Sequence, residues 1–101
     1  MIPNALLRLD RVSGVARPPF EQPNPKMNFW VFEIAIPPKS KNPIQIIQKK
    51  ISDIRDQIPP RCTPTLFIEH TSSDPIFRIP ESLIVLLAEI DCSLEIYKPD
   101  K

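Results

Sequence analysis

The stretch Asn42-Pro-Ile-Gln-Ile-Ile-Gln-Lys-Lys-Ile-Ser-Asp-Ile-Arg-Asp-Gln-Ile-Pro-Pro60 decides the fold. Ile44, Ile47, Ile51, Ile54 and Ile58 recur at spacings of three and four, which lines them up on one face of an α-helix. Lys49, Lys50, Asp53 and Asp56 fall on the opposite, solvated face. The spacing predicts a helix over 43–58. Asn42 suits the N-cap, Pro43 the first helical position, and Gln45 the place of a capping-box partner. Pro59-Pro60 must end it, because proline has no N–H for the helical ladder and its ring clashes with the preceding turn.

Outward from this helix, prolines cut the chain into blocks. Residues 29–36, Phe-Trp-Val-Phe-Glu-Ile-Ala-Ile, read as a strand. Trp30, Phe32, Ile34 and Ile36 share one face; Phe29, Val31, Glu33 and Ala35 share the other. Residues 65–70 read as a second strand, with Leu66 and Ile68 inward and Thr65, Phe67 and Glu69 outward. Residues 81–90 read as a second helix, with Leu83, Leu86, Leu87 and Ile90 inward. Residues 92–97 read as a third strand, where Cys92, Leu94 and Ile96 alternate with Ser93, Glu95 and Tyr97. Residues 3–9 fit a short helix or a strand equally well, and residues 10–28 should be an irregular, proline-rich segment.

The order strand, helix, strand, helix, strand favours crossover units. The expected class is α+β: a small two-layer sandwich with a β-α-β-α-β core and both helices on one face of the sheet. A length of 101 residues allows one domain, 1–101. Its 15 isoleucines also suit a sheet, since branching at Cβ fits a pleated surface.

Composition excludes several function classes. There is one glycine, Gly14, so no Gly-rich phosphate loop can form. Thirteen basic residues against twelve acidic ones leave a net charge of +1, without the basic excess of a nucleic-acid binder. No apolar run approaches the roughly 20 residues of a membrane span. Met1 to Arg8 lacks the charged start and unbroken apolar run of a signal peptide. With only Cys62 and Cys92, a disulfide framework is not expected, and a cytoplasmic location with reduced thiols is.

The segment Glu69-His-Thr-Ser-Ser-Asp74 contains every residue type of a hydrolase triad. Adjacent residues of one loop rarely converge on a point, and no glycine is nearby to shape a nucleophile elbow. The expected reading is a strand end running into a turn closed by Pro75. His70 is the sole histidine, and neither cysteine has C-x-x-C spacing, so neither a metal site, a catalytic thiol nor a cofactor is expected. Glu33, Glu69 and Glu95 fall one per strand on the same face. A flat sheet offers no cleft for glycoside chemistry by paired carboxylates.

The run from Asp74 to Tyr97, with its Pro80-Glu-Ser-Leu helix start, Leu87-Ala helix and closing strand ending in Tyr97, resembles the C-terminal signature of the bacterial domain-of-unknown-function family 4279. Trp30 to Glu33 and the helix that follows are similar to that family's tryptophan strand and middle helix. The resemblance spans roughly residues 27–98. Three positions depart from the family pattern: an opening strand is missing, Asp91 stands where the family has glycine, and Ile79 precedes the helix proline where a capping serine is usual. The resemblance implies an α+β bacterial protein and, because family members lie near polymorphic toxin genes, an immunity-type role.

Two expectations about partners follow. The first is a non-enzymatic protein-binding module, most concretely an immunity-type inhibitor that neutralises a basic toxin domain by direct contact. Phe29, Glu33, Phe67, Glu69, Glu95 and Tyr97 would be its contact residues, the phenyl and phenol rings as anchors and the carboxylates as complement to the basic partner. The alternatives are a small enzyme or ligand-binding domain using the Glu69–Asp74 loop, or a degenerate family member without retained function. The second expectation concerns the sheet edge at 29–36, which is apolar and free of proline and should not stay open. Either residues 5–9 fold back on it or another chain pairs there, as a homodimer or by strand addition, and association is the favoured outcome.

Overall fold

The computed structural model describes residues 4–70 and 78–98. Its elements are β1 (Asn4–Asp10), β2 (Phe29–Ala35), α1 (Pro43–Ile54), a single 3-10 turn (Arg55–Gln57), β3 (Thr63–Glu69), α2 (Glu81–Glu89) and β4 (Ser93–Tyr97). The architecture is α+β, with four strands in the order β2-β1-β3-β4 and two helices. The strands and helices read from periodicity are present, with ends that coincide or shift by up to four residues.

Residues 4–10 form a strand, which decides between the two readings of the N-terminal segment, and they fold back on 29–35, so that side of the strand is covered within the chain and not by the association favoured from the sequence. β1 pairs antiparallel with β2 on one side and β3 on the other, so it occupies the middle of the sheet. A strand does therefore precede the tryptophan strand, contrary to the expectation that an opening strand is missing. Ala5, Leu7 and Leu9 are buried, whereas Leu6, Arg8 and Asp10 lie half-buried on the other face. β2 and β3 run parallel to each other across β1, and α1 makes the crossover between them. β3 and β4 are parallel neighbours joined through α2.

The core is the layer between sheet and helices. Ile47, Ile51 and Ile54 of α1 and Leu83, Leu86 and Leu87 of α2 pack with Leu7, Leu9, Trp30, Ile34, Leu66 and Ile68. Ile44 and Ile58 pack against this cluster while partly exposed, so the whole predicted stripe faces the sheet. Burying each such side chain contributes about 1.5–3 kcal/mol. On the outer seam Ser82 donates its hydroxyl proton to Gln48 Oε1 at 2.9 Å, and Arg55 pairs with Glu89 at 2.9 Å.

Local details depart from the sequence reading in three places. Asn42 stands at the α1 N-cap, but its side chain makes no capping hydrogen bond there, so only Pro43 of the start signal acts as expected. Pro64 lies inside β3, opposite Leu9 of β1. The strand tolerates it because His70 donates its backbone N–H to Tyr97, which puts the even residues' amides on the β4 side. β4 begins pairing only at Thr65, so an N–H at position 64 has no ladder to join. The 10–28 segment is irregular as expected, yet it places Val12 and Phe20 in the core. The Phe20 ring centroid lies 6.0 Å from that of Trp30 and 6.1 Å from that of Phe32.

Asp91 adopts a left-handed conformation, with φ of 53°. Cys92 donates its N–H to Leu87 at 2.8 Å, and Asp91 donates to Ala88 at 3.2 Å. This pair of bonds satisfies two carbonyls at the end of α2 and turns the chain into β4.

Candidate functional site

The sheet face away from the helices is the surface on which the sequence places its contact residues. Pairing registers set its rows. Glu33, Leu6, Phe67 and Glu95 form one row across all four strands. Ala35, Asn4, Glu69 and Tyr97 form the next. Five of the six expected residues, Glu33, Phe67, Glu69, Glu95 and Tyr97, therefore gather in two adjacent rows. Strand spacing sets Glu33 and Glu95 roughly 14 Å apart. Neither makes a hydrogen bond or ion pair among the described residues.

Glu69 is held. It accepts a hydrogen bond from Asn4 Nδ2 at 3.0 Å and a long one from the Tyr97 hydroxyl at 3.4 Å. Partial desolvation, the Glu69 charge and this hydrogen bond all hold the Tyr97 phenol above its ordinary pKa.

Phe29, the sixth residue, stands at the far end of the face. The Arg8 guanidinium covers its ring at 4.1 Å. Arg8 also pairs with Asp10, its Nη2 lying 2.9 Å from Oδ1. Sequence reasoning missed Arg8, Leu6 and Asn4 because β1 itself was undecided. Their arrival separates the charges: a neutralised Arg8–Asp10 pair at the Phe29 end, and three carboxylates at the other.

The loop that carries the triad residue types contributes little to this picture. Glu69 and His70 are described, and Thr71 to Asp74 and Pro75 lie outside the described residues. No group of three or more His, Cys, Asp or Glu side chains among the described residues is placed to hold a metal ion. Cys62 and Cys92 are free thiols, half-buried beside the core. Burial pushes the Cys92 thiol up to about 12, against a hydrogen bond with the Leu66 backbone and with a smaller push from Cys62. Burial raises Cys62 as well, against a backbone hydrogen bond. Thiols held protonated are poor nucleophiles.

A concavity of about 370 Å³ lies apart from the open face, between the Arg17–Phe20 turn and the end of the 3-10 turn. Trp30, Phe20, Arg17 and Asp56 are among its walls. Trp30 Nε1 is buried without an acceptor among the described residues. No helix among the described residues is long and apolar enough to cross a membrane. No family model, curated protein or solved structure matches this chain.

Proposed function

We propose that this protein is a non-enzymatic binding module that engages a basic protein surface through the open face of its sheet. The observation that carries the reading is the cross-strand row Glu33–Leu6–Phe67–Glu95, an apolar pair flanked by two carboxylates without internal partners. An apolar centre inside a charged rim is the usual anatomy of a protein interface. Glu69, oriented by Asn4 and Tyr97, adds a third carboxylate in the adjacent row. Four strands span only about 15 by 20 Å, so a partner of ordinary interface size also reaches the flanking loops.

The most concrete form of this reading is a small immunity-type inhibitor. It rests on the resemblance carried by residues 27–98 and on charge: a nuclease toxin needs a basic site for nucleic acid, and an acidic face suits it. Co-expression with the product of the adjacent open reading frame tests it. The wild type should co-purify with that product and relieve its toxicity, and a Glu33→Lys/Glu95→Lys variant should do neither. Equal recovery by both would remove the acidic face from the account.

A further inference from the structure

The two edges of the sheet are not equivalent. On β2 the outer edge is partly closed: Glu21 and Val31 exchange backbone hydrogen bonds, each 2.8 Å. On β4 no strand among the described residues pairs with the outer edge. The Tyr97 carbonyl accepts from His70 of β3. Successive residues of a strand point their N–H and C=O groups to opposite sides, so those of Leu94 and Ile96 point outward. β4 contains no proline; its five residues carry one charge, Glu95, whose side chain lies on the open face, and Lys98 follows directly.

Apolar side chains flank this edge. Ile96 is 42% exposed and Ile84 of α2 is 52% exposed. Ser82 and Glu89 mark the side of α2 that faces α1 and its 3-10 turn, through Gln48 and Arg55. At 100° per residue, Ile84 falls on the opposite side of α2, toward the β4 edge. The crossover runs α2 antiparallel to β4, which sets the start of α2, and hence Ile84, beside the C-terminal half of β4. Ile84 and Ile96 therefore occupy the same flank.

We propose that β4 pairs antiparallel with β4 of a second copy, joining two four-stranded sheets into one of eight strands with all helices on one side. The two-fold axis passes between the Ile96 residues. In this register Ile96 faces the partner's Ile96, Leu94 faces the partner's Lys98, and Glu95 faces the partner's Tyr97. The outward groups of residues 94, 96 and 98 then form six interchain hydrogen bonds. Ile84 of each copy lies beside the axis and closes the apolar contact above the sheet. The register centred on Glu95 sets two carboxylates directly opposite, which like-charge repulsion disfavours. The contact leaves the open face of each sheet uncovered, and sets Glu95 and Tyr97 of that face beside the partner's Tyr97 and Glu95.

Sedimentation of the full chain over a dilution series tests this, with Ile96→Lys and Ile84→Lys measured alongside. A five-residue strand and two isoleucines give a small interface, so dimer should appear in the micromolar range and dissociate on dilution. Ile96→Lys should shift the midpoint at least tenfold. Ile84→Lys, at an exposed helix position that leaves the fold intact, should weaken the dimer in the same direction. A chain that stays monomeric through several hundred micromolar would overturn the proposal. So would a dimer whose midpoint neither variant moves.

Discussion

Glu33 and Glu95 stand at opposite ends of one cross-strand row, with Leu6 and Phe67 between them. No two of these residues share a strand, and the row exists only because β1 is inserted between β2 and β3. The N-terminal strand is thus what turns three scattered acidic residues into one surface.

That insertion has a dynamic consequence. β1 has a hydrogen-bonded neighbour on each side, while β2 and β4 are edges. Amide exchange is slowest where opening requires global unfolding. The amides of residues 5–9 should be among the most protected in the chain. Exchange as fast as that of the 10–28 segment would contradict the strand order.

The α1 stripe carries much of the stability. Ile51 is fully buried, in contact with the core beneath it. Ile51→Ala should cost about 2–4 kcal/mol, the transfer loss plus the cavity left behind. An unchanged denaturation midpoint would mean that α1 does not seat its isoleucines on the sheet.

Asp91 holds a left-handed conformation that glycine adopts without a Cβ penalty. Asp91→Gly should stabilise the protein by about 0.5–1 kcal/mol, because relief of strain exceeds the entropy cost of glycine. For a chain of this size that raises the melting temperature by about 3–6 °C. A lower melting temperature would show that the aspartate side chain contributes something the turn geometry does not reveal.

Cys92 makes stability fall at alkaline pH. Its thiol moves from an ordinary 9.0 to about 12 on folding. Between these values the folded chain binds more protons than the unfolded one, so stability is full below pH 9 and is lost as pH rises toward 12. Cys92→Ala should flatten that part of the decline relative to wild type, after its own packing cost is subtracted. Alkylation of Cys92 in the folded protein at pH 8 should also lag far behind that of a free thiol. Reaction at the free-thiol rate would contradict the burial that raises it.

The sequence shows clearly those elements whose apolar residues repeat with one period. The isoleucines of α1 and the alternation in β2 and β3 are of this kind, and the sandwich follows from their order. β1 is illegible because Ala5, Leu6, Leu7 and Leu9 satisfy both periods over seven residues, and because Leu6 puts an apolar side chain on the open face as well. Phe20 and Val12 give no warning of burial, since each is a lone apolar residue in a proline-rich segment without periodicity. Three glutamates on one face are visible from alternation alone. Arg8, which neutralises Asp10 and covers Phe29, becomes visible only with the register.

Recognition of a basic protein by the Glu33–Leu6–Phe67–Glu95 row remains a proposal that binding can test. Titration calorimetry of the adjacent reading frame's product against wild type, Glu33→Lys/Glu95→Lys and Phe67→Ala measures it most directly. Wild-type binding should weaken as salt rises, the charge-reversed variant should lose about 100-fold or more, and Phe67→Ala should lose about tenfold or more. Affinity that is equal for all three chains would contradict it.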